Sequence, residues 1–414
     1  MFKKVFYNTS AQILGKAITA SASLVITLLI GRSLGPAGYG EFTKIFVFIG
    51  YFYTFADFGF NAIYVKISSR KDIREFLPYL IGMRLVLAII LAGSAIVISQ
   101  ILPYNKELGL GFTPQVKFGI LIASATIITQ ALFTSSNAFF QKKLRYDLSV
   151  IAAVAGTLVI LLLTSITSVF APTIYLYTVS YIFGGLTFVI VAFFIIYKYF
   201  KAPIYPSFSI SHTKSFLKDA WPIGTALILN LVYFRTDVFI LAYTRPPQEV
   251  GLYGLAYQFF EAALSIPIFF TNALYPLLTG LYAQDKPEYQ KQIKRWLQIL
   301  TVVSIFLSLG LIIASYLIPP LFGARFNGSQ MALVILALGM PFFFISALLW
   351  HILIIKNRQK QLIAIYAVGA VVNLLLNLLL IPKYGFLAAA IVTIFSESLI
   401  TLMLIIFLVR QNKD

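Results

Sequence analysis

Long apolar stretches dominate this 414-residue chain and constrain its fold more than any other feature. About 20 predominantly apolar residues carry an α-helix across a bilayer, where the backbone polar groups must be bonded inside the protein. Twelve such stretches alternate with short polar segments: residues 10–33, 41–64, 77–101, 117–140, 148–170, 173–197, 220–244, 253–277, 297–319, 329–355, 360–381 and 385–408. The sequence therefore predicts an all-α integral membrane protein with twelve transmembrane helices.

Composition agrees with this class and excludes several kinds of site. The chain is 60% hydrophobic and only 11% charged, whereas soluble globular proteins carry roughly 25% charged residues. It has no cysteine, which rules out disulfides and thiolate metal sites, and its two histidines, His212 and His351, are far apart in sequence. It has no Walker A or GxSxG sequence, and its loops are too short for a catalytic domain. We expect no metal, no cofactor and no enzymatic activity.

The distribution of Lys and Arg predicts the orientation in the membrane. If the N-terminus is cytoplasmic, 22 of the 32 basic residues lie in cytoplasmic segments, seven lie at outside ends and three lie within spans. This bias follows the positive-inside rule and predicts that both termini are cytoplasmic, with the first apolar segment retained as a helix. The net charge of +18 is then a topology signal, and we expect no nucleic-acid partner.

A segment rich in Pro and Ser divides the chain into two halves of six spans each. We predict an N-terminal bundle (1–200), a cytoplasmic linker (201–218) and a C-terminal bundle (219–414). An offset of 213 residues aligns Arg32 with Arg245 and Gly38 with Gly251, in the segments GRSLGPAGYG and YTRPPQEVGLYG. An even number of spans per half predicts parallel repeats, that is, two pseudo-twofold-related six-helix bundles around a central cavity.

Two charges interrupt the seventh span, in the segment YFRTDVFILA. Arg235 and Asp237 are two residues apart, about 200° around a helix, so they cannot neutralise each other. A charge at the centre of a membrane helix costs about 2.5–3.5 kcal/mol on insertion scales, so such residues usually face the protein interior or a wet cavity. Glu261, at a similar depth on the eighth span, is the candidate partner of Arg235. We expect Asp237 to find an interhelical partner in its own bundle.

Three charges share a predicted level on the cytoplasmic side of the first three spans: Lys16, Asp57 and Arg84. The two basic side chains are near enough to the interface to extend to lipid phosphates, and the alternative is that they turn inward. Glu397, on the twelfth span, has no obvious cation at its depth. We expect it either to be protonated through burial or to face the cavity as a proton or cation site.

Two asparagines lie four residues apart on the eleventh span, Asn373 and Asn377, and so share one helix face. Polar amides inside a membrane commonly hydrogen-bond to neighbouring helices. We expect this role for both.

Three segments carry a family resemblance. SLVITLLIGRSLGPAGYGEFTKIFVF with FADFGF downstream, YFRTDVFILA, and GAVVNLLLNLLLIPKYGFLAAAIVTIFSESL together span residues 24–399. They resemble the Wzx-type O-antigen flippases, the polysaccharide-transporter branch of the multidrug/oligosaccharidyl-lipid/polysaccharide exporter superfamily. The resemblance implies two six-helix bundles around a V-shaped cavity and alternating access by rocking of one bundle against the other.

The resemblance also implies a substrate and partners. The substrate would be an undecaprenyl-pyrophosphate-linked oligosaccharide, moved from the cytoplasmic to the outer leaflet of the bacterial inner membrane. Arg binds phosphate in bidentate fashion and Lys binds it as a point charge. We therefore expect Arg235 to be the central pyrophosphate ligand, with Lys16 and Arg84 capturing the headgroup. Membrane lipids, H⁺ or Na⁺ as a coupling ion, and polysaccharide polymerase or chain-length proteins are the other expected partners.

Four acidic residues are candidates for ion pairs or for coupling: Asp57, Asp237, Glu261 and Glu397. They keep open an alternative function, a MATE-like cation-coupled drug or metabolite antiporter, which shares the overall fold. A membrane-embedded polymerase or ligase is disfavoured, because the longest outside connections hold only about 15 residues.

Overall fold

The computed structural model describes residues 2–67 and 73–411, which fold almost entirely into α-helices. In chain order these are α1 (Phe2–Asp57), α2 (Phe60–Ile67), α3 (Ile73–Ile101), α4 (Pro114–Ala123), α5 (Ala125–Lys143), α6 (Tyr146–Phe170), α7 (Ile174–Phe200), α8 (Ile210–Thr244), α9 (Pro247–Gln284), α10 (Lys286–Ser315), α11 (Ile318–Phe322), α12 (Asn327–Leu338), α13 (Met340–Ile355), α14 (Gln359–Tyr384) and α15 (Phe386–Gln411). Two short strands, β1 (Tyr104–Asn105) and β2 (Leu110–Gly111), form an antiparallel hairpin between α3 and α4.

Helix breaks fall inside or between several predicted spans. Non-helical backbone at Gly35 (φ 64°, ψ 179°), followed by Pro36, interrupts α1 between the first two predicted spans. Positive φ favours glycine there because it has no Cβ. The fourth predicted span is divided into α4 and α5 at Ser124, and the tenth into α12 and α13 at Gly339.

The helices confirm an all-α membrane protein. Within the described residues, nine helices are long and apolar enough to cross a membrane. The number is ten if the pair 324–338 and 340–355, bent by 41°, forms one span. The predicted count of twelve spans in two bundles stays a prediction.

The chain folds as two compact units, Met1–Arg235 (unit 1) and Thr236–Asp414 (unit 2). The boundary lies inside α8, later than the predicted linker 201–218. The physical reason is that the first half of α8 packs on unit 1. Phe216 and Ala220 are buried in a hydrophobic cluster with residues of α2, α3 and α5, and Gly224 lies against the Phe58 ring.

The linker itself is bound to α3. The Ser207 amide donates to the carbonyl oxygen of Pro78 at 2.9 Å. A Cβ on Gly82 would lie 2.1 Å from the Ser207 carbonyl oxygen, so only glycine permits this approach. The His212 ring then stacks on Tyr79 with 4.1 Å between ring centroids. The segment between the predicted halves is therefore a docked part of unit 1.

Helices α6 and α7 of unit 1 cross at close range. On α6, a Cβ at Gly156 would lie 1.9 Å from the ring of Phe188 and 2.6 Å from the carbonyl oxygen of Gly184, both on α7. Small residues at such positions let membrane helices approach closely and gain van der Waals contact.

Candidate functional site

An ion pair between α1 and α3 lies inside unit 1. Arg84 Nη2 donates to Asp57 Oδ1 at 2.8 Å and to the Asp57 carbonyl oxygen at 3.3 Å. Arg84 Nη1 reaches the hydroxyl of Ser135 at 3.5 Å, and Arg84 Cζ lies 5.8 Å from the ring centroid of Phe60. Asp57 is the last residue of α1, directly before the break at Phe58 and Gly59, where φ is positive.

The burial of this pair is asymmetric. The Arg84 side chain is 0% exposed, whereas that of Asp57 is 37% exposed. The Arg84 Nε is buried and has no hydrogen-bond partner among the residues that the structure describes. Of the two alternatives open from the sequence, Arg84 takes the inward one, and its guanidinium does not extend to the membrane surface. Asp57 presents the accessible edge of the pair.

The other expected headgroup ligands are more accessible than Arg84. Lys16 is exposed on α1, and Arg235 is half-buried on α8. The hydroxyl of Tyr51 on α1 donates to the carbonyl oxygen of Arg235 at 3.0 Å, which fixes the backbone at this point of α8. Glu261 is exposed on α9 in unit 2, whereas Arg235 ends unit 1. The expected pairing of these two residues stays a prediction.

Asp237 is buried within unit 2. The Tyr253 hydroxyl on α9 donates to its Oδ2 at 2.5 Å, and the Thr393 hydroxyl on α15 lies 3.5 Å from the same oxygen. The Val238 amide donates to Asp237 Oδ1 at 2.7 Å. Asp237 thus has interhelical partners in its own unit, as helix geometry led us to expect.

Glu397 is also buried in unit 2, with 2% of its surface exposed. Its Oε1 accepts a short hydrogen bond from the hydroxyl of Ser346 on α13. The same hydroxyl lies 3.2 Å from the carbonyl oxygen of Phe343. The carboxyl group is therefore enclosed between α13 and α15.

Of the two asparagines of α14, Asn373 contacts a neighbouring helix as predicted, whereas Asn377 bonds within its own helix. Asn373 Nδ2 donates to the Ser396 hydroxyl on α15 at 3.1 Å, and Asn377 Nδ2 donates to Asn373 Oδ1 at 2.9 Å. This confirms an interhelical role for Asn373 and connects Asn377 to it.

Sequence reasoning missed a second buried basic residue. Lys44, assigned to an outside helix end, is fully buried in α1, and its Nζ donates to the carbonyl oxygen of Gly111 in the hairpin at 2.8 Å. Glu41, one turn earlier, accepts from the Thr113 hydroxyl at 3.0 Å. The available signal was the three-residue spacing of Glu41 and Lys44, which places both on one helix face.

The described residues contain no group of three or more His, Cys, Asp or Glu side chains that could hold a metal ion. The buried polar groups are instead two basic side chains, Arg84 and Lys44, two carboxyls, Asp237 and Glu397, and hydroxyls and amides between the helices. Such groups suit a transporter, because intramembrane ionisable residues mark substrate and ion pathways.

Comparison with known families decides the assignment. A family described as "Polysaccharide biosynthesis protein" matches residues 2–282, about two thirds of the chain. The chain belongs to this family. A second family, MatE, matches residues 222–379, which agrees with the expectation of a fold shared by the two groups.

Relatives and solved structures agree with this family. A protein of Shigella dysenteriae named "Putative O-antigen transporter" is 28% identical over 192 residues, which cover 46% of this chain and 48% of that protein. The chain thus matches about half the length of this curated relative. The chain also shares its fold with the lipid II flippase MurJ in an inward closed conformation, with a TM-score of 0.76 at 16% identity over 97% of this chain and 87% of MurJ. An inward-facing multidrug resistance MATE transporter gives a TM-score of 0.71 at 12% identity, with 94% and 93% covered.

These similarities confirm the resemblance to the Wzx-type branch of the exporter superfamily. The chain is a multi-pass membrane protein with the fold of a flippase or transporter, in a family of polysaccharide biosynthesis.

Proposed function

We propose that this protein is a flippase for a lipid-linked oligosaccharide. The substrate is an undecaprenyl-pyrophosphate-linked repeat unit of O-antigen or a related surface polysaccharide, moved from the cytoplasmic to the outer leaflet by alternating access. Its location is the bacterial cytoplasmic membrane, with both termini on the cytoplasmic side. Polysaccharide polymerase or chain-length proteins are its expected neighbours. The observation that carries the proposal is the family match across residues 2–282.

A half-buried arginine in the seventh span supports this substrate chemistry. A pyrophosphate carries at least two negative charges and needs cations when it leaves water, and the arginine fork binds phosphate oxygens in pairs. Arg235 has such a fork, on a backbone fixed by Tyr51. Lys16 is exposed on α1 and suits first contact with the headgroup as a point charge.

Arg84 takes a narrower role in this proposal than the sequence led us to expect. Its side chain is wholly buried and bonded to Asp57 and Ser135. We assign it to holding the C-terminal end of α1 against α3 and α5. Direct contact with the headgroup then falls to Arg235 and Lys16.

A flipping assay in proteoliposomes tests the proposal. The probe is an undecaprenyl-pyrophosphate-linked disaccharide with a fluorescent headgroup, and the readout is access of a membrane-impermeant quencher from one side. We expect Arg235→Ala to lower the flipping rate at low probe concentration by roughly ten- to a hundredfold, because a charge-assisted hydrogen bond to the bound probe contributes about 1.5–3 kcal/mol. Arg235→Lys keeps the charge but not the fork, so we expect an intermediate loss.

A matched control is Arg325→Ala, which removes an exposed arginine from a 3-10 turn of unit 2. We expect this variant to flip the probe at the wild-type rate. Wild-type rates in both Arg235 variants, with normal folding, would contradict the role of Arg235. A folded wild-type protein that leaves the probe in its original leaflet would contradict the flippase function itself.

The MatE match over residues 222–379 favours one second candidate, a cation-coupled antiporter for drugs or metabolites. Its substrate would be an organic cation rather than a lipid-linked anion. Uptake of a cationic fluorescent dye into the same proteoliposomes under a proton or sodium gradient distinguishes the two. Dye uptake without probe flipping would establish the antiporter.

A further inference from the structure

The interior of unit 2 contains two acidic side chains, Asp237 and Glu397, both nearly inaccessible. The basic residues in the described part of unit 2 lie in loops or within the first or last three turns of a helix: Arg245, Lys286, Lys291, Lys294, Arg295, Arg325, Lys356, Arg358, Lys360, Lys383 and Arg410. Charge is thus unevenly distributed, with acid inside the unit and base at its ends. Ionising both carboxyls would place two negative charges in a low-dielectric interior, which favours protonation of one of them.

Glu397 lies near the middle of α15. It is 11 residues from the start of α15 and 14 from its end, or about 16 Å and about 21 Å along the helix axis. Asp237 is connected to the same face of α15 through Thr393, one turn before Glu397. Asp237 already accepts hydrogen bonds from a tyrosine hydroxyl and a backbone amide.

The hydrogen bonds around Glu397 suit either protonation state. A carboxylate only accepts hydrogen bonds, and the Ser346 hydroxyl donates to it. A protonated carboxyl must instead donate. The Ser346 hydroxyl can turn its proton to the Phe343 carbonyl oxygen, 3.2 Å away, and then accept from Glu397. Rotation of this one hydroxyl therefore lets Glu397 gain or lose a proton while the hydrogen bond between Glu397 and Ser346 is kept.

The neighbouring helices supply few groups that compete for this proton. Titratable residues on the helices packed against α15 include Tyr366 of α14, Tyr253, Tyr257 and the exposed Glu261 of α9, and the partly buried His351 of α13. Asp237 of α8 reaches α15 through Thr393. Tyrosine stays neutral at ordinary pH. His351 lies five residues beyond Ser346, about 8 Å further along α13, and its ring contacts Asn272 and the Ala347 carbonyl oxygen.

We propose that Glu397 is a proton-binding site buried in unit 2, at which the Ser346 hydroxyl reverses its hydrogen bond as the proton leaves. The balance is simple: the carboxyl O–H bond breaks, the proton passes to water, and the carboxylate accepts from Ser346. This proton is exchanged during transport, a step that rests on the proposed flippase function and identifies H⁺ as the coupling ion.

Infrared difference spectroscopy of the full-length protein in lipid tests the proton site without any substrate. The spectrum is followed from about pH 5 to about pH 9, a range in which exposed carboxyls are already ionised over most of its width. We expect a carbonyl band of a protonated carboxyl that persists to neutral pH and is lost in Glu397→Gln. Ser346→Ala should shift this band, because the hydrogen bond to the carboxyl is gone. Asp237→Asn is the matched control and should keep the band.

Three results would overturn the assignment of the proton site to Glu397. The wild-type protein could lack the band, the band could survive in Glu397→Gln, or the band could be lost in Asp237→Asn alone. Glu397→Gln preserves shape and hydrogen bonding, and the folded state is checked by size-exclusion chromatography. If Glu397→Gln does not fold, Ser346→Ala still tests the assignment. A band at the same frequency in Ser346→Ala as in the wild-type protein would overturn it.

The flipping assay then tests the coupling separately. With the fluorescent probe, a proton gradient should change the wild-type flipping rate, and Glu397→Gln should lose this dependence while still flipping. A wild-type protein that flips the probe at a rate independent of the gradient overturns the coupling but not the flippase function. A wild-type protein that shows the infrared band but flips nothing overturns the flippase function and leaves the proton site standing.

Discussion

The two residues of the buried ion pair in unit 1, Arg84 and Asp57, should differ in how much stability the protein loses when each is replaced. We expect Asp57→Ala to destabilise the protein more than Arg84→Met, although both remove the same 2.8 Å bond. In the first variant the remaining partner is a guanidinium that is 0% exposed, and in the second it is a carboxylate that is 37% exposed. An ion left buried without its counter-ion is far more costly than one that can reach water.

The magnitudes follow from this asymmetry. Removing one partner of a buried pair costs about 3–5 kcal/mol. Because Asp57 is partly exposed, we take the lower end, about 3 kcal/mol, for Asp57→Ala. Exposed pairs contribute about 0–1 kcal/mol, so a partly exposed carboxylate left behind by Arg84→Met should cost roughly 1 kcal/mol. The methionine retains most of the arginine stem's packing. The expected difference is about 2 kcal/mol in the free energy of unfolding.

The assay is reversible unfolding in mixed micelles of lipid and denaturing detergent, followed by tryptophan fluorescence. The pair Arg145–Asp147 is the matched control, because it has the same 2.8 Å separation but an arginine that is 45% exposed. Arg145→Met and Asp147→Ala should each cost under about 1 kcal/mol. If Arg84→Met proves as destabilising as Asp57→Ala, the reasoning from burial is refuted.

Three further substitutions test packing and polar contacts. Gly82→Ala places a methyl group 2.1 Å from the Ser207 carbonyl oxygen, so we expect the linker to detach and limited proteolysis within residues 201–209 to become faster, unless the backbone can shift. Asn373→Ala removes the hydrogen bond to Ser396 and should cost about 0.5–1.5 kcal/mol of unfolding free energy in the micelle assay; an unchanged value would contradict an energetic role. Gly156→Ala drives a methyl group into a ring on α7, so we expect a lower thermal midpoint by fluorescence-detected size exclusion, and wild-type stability would show that the crossing can widen.

The sequence predicted the membrane class and much of the helix order, because long apolar stretches leave few other solutions. It also predicted that Asn373 would bind a neighbouring helix, since a buried amide needs a partner. It did not predict the breaks at Ser124 and Gly339. Each interrupts a continuous apolar run, in which the pattern of residue types is unchanged across the break.

The candidate site was less predictable than the fold. Position in the sequence gives the depth of a charge in the membrane but not the face of the helix on which it lies. Arg84 could therefore extend to lipid or turn inward, and only the packing of α3 on α1 and α5 decides that it turns inward. The docking of the linker on α3 could not be predicted for a related reason, since proline and serine content marks a loop but does not show that Ser207 is bonded to α3.

The burial of Lys44 affects how the topology of this protein can be mapped. Membrane-impermeant amine reagents show which lysines lie on the outer side of a membrane. The sequence predicts that Lys44 is one of these outer lysines. Its Nζ is enclosed and bonded to Gly111, so we expect it to resist labelling from either side of the membrane, as a cytoplasmic lysine would resist a reagent added outside. A labelling map that interpreted the unreactive Lys44 as cytoplasmic would assign this part of α1 to the side opposite to the one that the sequence predicts.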